Sequence, residues 1–221
     1  MNISHIFYIN LKHRIDKYVH MEKQLSVCGI KYTKIVGIIP DDYKNYHTPF
    51  SYISKDELRY KGTIGCFLSH KKTIDSVTNF DSSLDNYVMV LEDDVNIEKG
   101  LWSYLKQINP SPEFDFVFFN SGRKLNIKYC LDSKNSMWPI YGDYPDFCGA
   151  FCYAIPVNKL SKIQNEISDI KQYMDFDRFI FTNKVFKSCT YQNKLIKVNY
   201  NFSSDRDPSL PWNNPLKRLL Q

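Results

Sequence analysis

Tyr87-Val88-Met89-Val90-Leu91-Glu92-Asp93-Asp94-Val95 is an apolar run that stops at three consecutive carboxylates. A β-branched, apolar segment of this length predicts a buried strand, because a strand covered on both faces has no polar alternation. Its end therefore delivers dense negative charge to one fixed point of the fold. Three adjacent carboxylates repel one another, and burying them requires a cation or a set of hydrogen bonds. Hard oxygen donors of this kind favour magnesium, manganese or calcium over zinc. On a continuing strand Glu92 and Asp94 would share a face and Asp93 would point away. A solvated acidic turn is the bland alternative, but open α/β sheets bind ligands at the carboxyl ends of their strands, which favours a metal.

Working outward from this strand, predicted strands and helices alternate. Residues 5–10 read as a strand, 15–28 as an amphipathic helix and 30–36 as a second strand. A long polar loop covers 37–54. Ser54-Lys55-Asp56-Glu57 has capping-box spacing and predicts a short helix, which Gly62 separates from another over 63–77. Beyond the acidic strand, 101–108 reads as a helix and 114–120 as a buried strand. Residues 121–147 are rich in Asp, Asn, Pro and Tyr without periodicity, and a loop that long is usually functional. Residues 149–155 read as a strand, Pro156 as the opening of a helix to about Ile167, 175–185 as a helix and 195–199 as a short strand. This succession predicts βαβ units, hence an α/β fold with a mainly parallel central sheet flanked by helices. One domain over 1–210 and a tail over 211–221 are expected, with no internal repeat.

Composition narrows the function. The chain has 221 residues and is 43% hydrophobic, enough for a substantial core. Its net charge of +5 is dispersed, which gives no basis for nucleic-acid binding and mildly favours an anionic ligand. The start carries neither a basic n-region nor a long apolar stretch, and no segment could span a bilayer. The reading is a soluble, cytoplasmic protein. Its tail, with two prolines, two basic residues and three leucines, suits either disorder or docking on a partner or membrane surface. Cysteines 28, 66, 130, 148, 152 and 189 show no metal-type pairing and no disulfide framework, so reduced thiols are expected.

Three blocks in order, Phe7-Tyr8-Ile9-Asn10-Leu11 with Arg14, Gly62-Thr63-Ile64-Gly65-Cys66-Phe67-Leu68-Ser69-His70 and Val90-Leu91-Glu92-Asp93-Asp94-Val95, resemble glycosyltransferase family 25. That family includes bacterial lipooligosaccharide galactosyltransferases and collagen hydroxylysine galactosyltransferases. Gly149-Ala150-Phe151-Cys152-Tyr153-Ala154-Ile155 and Asp177-Arg178-Phe179-Ile180 are similar to its later blocks. Two departures stand out. Thr63 replaces the family's usual Glu, and the chain is short, which points to a reduced acceptor-binding part.

The resemblance implies a GT-A type, Rossmann-like sandwich that holds Mn2+, or Mg2+, against the diphosphate of a UDP-sugar. A divalent cation would neutralise charge on the leaving group as the glycosidic bond breaks. Asp94 would then contact the metal, and Glu92 and Asp93 would reach metal-bound water or the ribose, with Glu92 also a metal candidate. Inversion of the anomeric centre needs a carboxylate to take the acceptor proton. Asp177 is the first candidate, followed by Asp175 and Asp146, with a helix cap the other reading of Asp175. Asn10 and Leu11 fall at the end of the first strand, where the nucleotide would lie. Arg14 could reach a phosphate or uracil carbonyl, or be an ordinary exposed helical arginine. Ser69 and His70 are donor-site candidates, with His70 a hydrogen-bonding group and not a nucleophile.

The leading expectation is a metal-dependent glycosyltransferase moving galactose or glucose from a UDP-sugar to a hydroxyl of a glycan or modified side chain. A metal-dependent phosphodiesterase or nuclease is disfavoured because no histidine follows His70. A catalytically inactive binding module stays open because of Thr63.

Overall fold

The computed structural model describes residues 1–47, 57–77, 86–120, 137–140, 149–168, 170, 172–192, 195–203 and 205. Its elements run in the order β1 (Asn2–Asn10), α1 (Ile15–Leu25), β2 (Tyr32–Val36), α2 (Glu57–Asp75), β3 (Asn86–Glu92), β4 (Val95–Ile97), α3 (Leu101–Gln107) and β5 (Phe116–Asn120). They continue with β6 (Met137–Ile140), β7 (Cys152–Pro156), α4 (Leu160–Ser168), α5 (Phe176–Thr182), β8 (Ser188–Gln192) and β9 (Ile196–Val198).

Among the described residues, seven strands form one sheet in the order β2-β1-β3-β7-β5-β8-β6, and β4 pairs with β9 in a separate ribbon. The pairings β1·β2, β1·β3 and β5·β8 are parallel, whereas β7 opposes both β3 and β5, and β6 opposes β8. Five of the seven strands therefore run the same way, as expected for a mainly parallel GT-A-like sheet.

The acidic strand β3 lies between β1 and β7, and its apolar run serves two cores. Met89 and Leu91 pack with Ile6, Tyr8, Met21 and Leu25 on the face covered by α1 and α3. Val88 and Val90 pack with Phe67, Tyr153, Ile163 and Phe176 on the face covered by α2, α4 and α5. All four of these β3 side chains are fully buried. Period-two alternation thus survives in a run that looks uniformly apolar, because both faces are covered by helices.

Several expectations change. The helix of residues 57–75 runs straight through Gly62, because Ile64, Phe67 and Ile74 on its buried face outweigh a glycine cost of about 1 kcal/mol. The acidic strand ends at Glu92, and Val95 belongs to the β4–β9 ribbon. Part of the expected 121–147 loop forms β6, and β8 had no clear pattern to announce it. Pro156 closes β7, and a 3-10 turn at Val157–Lys159 leads into α4. The capping box at Ser54, Asp146, Cys130, Cys148 and the tail 211–221 lie outside the described residues. Among the described residues, no helix is long and apolar enough to cross a membrane.

Gly65 sets how closely α2 approaches the segment after β2. A Cβ there would lie 2.6 Å from the Ile38 carbonyl oxygen and 3.2 Å from Pro40 Cδ. One turn on, the Ser69 hydroxyl donates to Gly65 O at 2.6 Å and accepts from Ile38 N at 2.8 Å. We expect Gly65→Ala to destabilise the protein by about 1–3 kcal/mol from overpacking, even though alanine is the better helix former. Urea unfolding midpoints measure this, and unchanged or increased stability would contradict the close approach.

Candidate functional site

The ladder between β3 and β1 ends as Ile9 pairs with Glu92, so Asn10 and the acidic triplet emerge together at the carboxyl edge of two parallel strands. The chain turns at Asp93 and Asp94, so strand alternation does not extend through the triplet. Asp93 and Asp94 both turn toward α1, whereas Glu92 turns toward α2. The expected pairing of Glu92 with Asp94 on one face is therefore replaced by a split across the strand end.

On the α1 side the compensating cation is Lys17, which is only 4% exposed. Its Nζ lies 3.2 Å from Asp93 Oδ1, 3.5 Å from Asp94 Oδ2 and 3.3 Å from Asp205 Oδ2. Burial acts to lower the lysine pKa, but Asp94, Asp93 and Asp205 outweigh it and raise the net value. Asn10 adds a hydrogen bond from Nδ2 to Asp93 Oδ2 at 2.8 Å and another to the Arg14 carbonyl at 3.0 Å. It positions the triplet. Leu11, next along, supplies its carbonyl to Arg14 N at 2.9 Å.

Arg14 stands at the N-terminal boundary of α1, makes no side-chain cap bond and is largely buried, so it is not an exposed helical arginine. Its guanidinium donates to both oxygens of Asp16, at 2.9 and 2.7 Å, to Ser203 O at 3.0 Å and to the Asp205 carboxylate. The same interaction pulls Asp16 down to about 2. His13 approaches Asp205 from the other side at 3.4 Å. The β4–β9 ribbon carries this C-terminal segment across the site, with Asn199 N donating to the Asp94 carbonyl at 2.5 Å. Arg14, Lys17 and His13 thus surround one carboxylate and form a place where an anion is held.

Asp94 supplies the site's unmet demand. Its side chain is a quarter exposed, but Oδ1 is sealed and makes no hydrogen bond among the described residues. Burial first, then Glu92 and Asp93, push its pKa up to about 7 against the pull of Lys17. Burial likewise raises Asp93, partly offset by Lys17 and Asn10. A sealed, unsatisfied carboxylate oxygen among hard oxygen donors fits Mn2+ or Mg2+.

On the α2 side, Thr63, Cys66 and His70 follow one helical face toward β3 and α5. His70 is 1% exposed, with Nε2 at 3.2 Å from Glu92 Oε1 and Nδ1 at 3.0 Å from the Tyr153 hydroxyl. Phe176 stacks on its ring at 4.6 Å with planes 12° apart. Both ring nitrogens of His70 therefore have hydrogen-bond partners. Ser69 faces elsewhere and serves to attach α2 to the chain after β2. Cys66 Sγ reaches Glu92 Oε1 at 3.8 Å, which places a cysteine in a ligand-capable cluster although the six cysteine positions had shown no metal-type pairing. Cys28, Cys152 and Cys189 are free thiols.

The two carboxylates of the later block do different things. Asp177 is buried, and its oxygens accept Gly149 N at 2.6 Å and Arg178 N at 2.8 Å, tying α5 to the approach of β7. Asp175 precedes α5 without making a side-chain cap bond and instead accepts the Thr63 hydroxyl at 3.5 Å. Where the resemblance would place a glutamate, Thr63 faces a carboxylate.

Lys17, Asp205, Cys66 and Tyr153 were not singled out from sequence. The Cys66–His70 spacing of four was visible as a shared helical face, but the partners of Lys17 and Tyr153 depend on tertiary contact.

A family model described as glycosyltransferase family 25 (LPS biosynthesis protein) matches residues 3–139. No curated protein matches the chain in sequence. Among solved structures, it is similar to a glycosyltransferase involved in the glycosylation of the major capsid of PBCV-1, at 11% identity and TM-score 0.42, over 76% of this chain and 66% of that one. It is also similar to apo-form glycosyltransferase GlyE of Streptococcus pneumoniae TIGR4, at 13% identity and TM-score 0.43, over 85% of this chain and 45% of that one. The chain thus spans just under two thirds of the first and under half of the second.

The raised Asp94 pKa has a definite pH signature. Between about 3.9, where an unfolded aspartate titrates, and about 7, the folded metal-free protein binds the extra proton. This group therefore favours folding at low pH, and the advantage is lost as pH rises to about 7. Asp94→Asn does not titrate. Its stability relative to the parent should grow between pH about 4 and 7 and level off above, measured by urea unfolding with a chelator present. A difference that is flat or shrinks with rising pH would contradict the assignment.

Proposed function

The chain belongs to glycosyltransferase family 25, and on that premise we propose that it is a metal-dependent inverting glycosyltransferase that moves galactose or glucose from a UDP-sugar to an acceptor hydroxyl. The acceptor is a glycan or a modified side chain. The observation that carries the reading is the sealed, unsatisfied Asp94 oxygen at the end of β3, beside a cationic cradle already holding a carboxylate.

Asp94 would hold Mn2+ or Mg2+, with Glu92 and Asp93 reaching metal-bound water or the ribose. When bound, the cation neutralises charge on the departing diphosphate. Arg14 and Lys17 favour an anion at the position where they now hold Asp205, so a donor phosphate competes with that carboxylate. Asn10 keeps Asp93 oriented, and His70 keeps Glu92 oriented. For the acceptor proton, Asp175 is the better-placed base of the two candidates that fall among the described residues. Both Asp177 oxygens already accept backbone N–H groups, so its role is to position Gly149 and the start of β7.

Calorimetric titration of UDP with and without Mn2+ tests the donor reading. Binding should require the cation, and Asp94→Asn should weaken the coupled binding while leaving a cooperatively folded protein. Equal UDP affinity in both conditions would remove the metal from the donor site.

Sugar transfer tests the base. Asp175→Asn should reduce turnover by about 10²-fold or more with little change in UDP affinity, as expected when proton transfer is lost. Asp177→Asn should lower stability as well as activity. Near-normal turnover in Asp175→Asn would exclude Asp175 as the base.

A further inference from the structure

The side of the acidic triplet that faces α2 has a chemistry different from the side that faces α1. Glu92 leaves its two neighbours and meets a thiol and an imidazole. Cys66, His70 and Glu92 each offer one ligand atom, and these atoms lie within 4.8 Å of one another. Two of the three separations are 3.8 Å, from Cys66 Sγ to Glu92 Oε1, and 3.2 Å, from His70 Nε2 to the same oxygen. A tetrahedral zinc ion, with bonds of about 2.0 Å to nitrogen and oxygen and about 2.3 Å to sulfur, sets its ligands about 3.3–3.6 Å apart. The cluster is already close to those edges.

We propose that Cys66, His70 and Glu92 form a binding site for a thiophilic divalent transition metal of the zinc class, separate from any cation held by Asp94. The support around the ligands fits this use. Cys66 and His70 stand one turn apart on α2, so the helix fixes their spacing. Phe176 stacked on the imidazole fixes the ring plane. The Tyr153 hydroxyl at His70 Nδ1 is the outer partner that a ligating histidine uses to present its other nitrogen. The Glu92 side chain is about a third exposed, which gives an ion a way in and leaves room for a fourth ligand.

Binding is charge-balanced. The Cys66 thiol releases its proton to solvent as the metal–sulfur bond forms. His70 binds through the Nε2 lone pair while Nδ1–H donates to the Tyr153 oxygen. Thiolate and carboxylate together then match the two positive charges. A thiolate and an imidazole select zinc or cobalt over Mn2+ and Mg2+.

The test uses the full chain, under a non-thiol reductant and without nucleotide, so it stands apart from donor binding. Co2+ titrated into the apo protein should give a thiolate-to-cobalt charge-transfer band in the near ultraviolet that saturates at one cobalt per Cys66 site, whatever further cobalt the Asp94 side takes up without a band. Zn2+ should displace the cobalt, and excess Mg2+ or Mn2+ should not. Cys66→Ser should abolish the band, Tyr153→Phe should weaken cobalt binding about 10- to 100-fold, and Asp94→Asn should leave both unchanged. Absence of the band in the parent chain would overturn the proposal, as would its persistence in Cys66→Ser or its loss in Asp94→Asn. Far-ultraviolet circular dichroism confirms that each variant scored is folded.

Discussion

The arrangement depends on one ammonium group. Lys17 Nζ is nearly excluded from solvent and lies within 3.5 Å of three carboxylates from two chain segments, those of the adjacent Asp93 and Asp94 and that of Asp205. Removing one partner of a buried ion cluster leaves uncompensated charge, which costs about 3–5 kcal/mol. Without Lys17 the end of β3 would carry a buried Asp93 beside a partly buried Asp94, with the Asn10 amide relieving Asp93 alone among the described residues. With it, the strand can end in three acids, and the C-terminal segment has a reason to cross the site.

This constraint also divides the site. The backbone turns at Asp93, so two carboxylates go to the lysine and the third goes to α2. On one side of the strand end carboxylates meet Lys17 and Arg14, and on the other a single carboxylate meets a thiol and a buried imidazole. Phe176 connects the second side to the base candidates, because it stacks on His70 and is flanked in sequence by Asp175 and Asp177. A shift of α5 would be felt at Glu92 through that ring.

Much of the fold was legible in the sequence where side-chain pattern and local structure agree. The apolar run to Leu91 is a buried strand because every residue from Val88 to Leu91 meets one core or the other. Gly62 was misleading because tertiary packing outweighed a local penalty. β8 was hidden because Ser188, Thr190 and Gln192 look like loop residues, although Ser188 and Thr190 are buried. In the candidate site, the acidic triplet stood out by residue type at the end of an apolar strand and Asn10 by its place at the end of the first strand, whereas Arg14 and His70 were singled out through the resemblance to family 25. Lys17 was not, since a lysine in the first turns of an amphipathic helix ordinarily faces water, and its three partners come from 76 to 188 residues further along the chain. Asp205 was hidden for the same reason.

The claim that Lys17 makes the acidic strand end tolerable is tested most directly by equilibrium urea unfolding of Lys17→Met beside a triple variant that also carries Asp93→Asn and Asp94→Asn. The account predicts a loss of about 3–5 kcal/mol in the single variant and recovery of most of it in the triple variant, because neutral amides no longer need a cation. Little loss on removing Lys17, or no recovery when both carboxylates are neutralised, would contradict it.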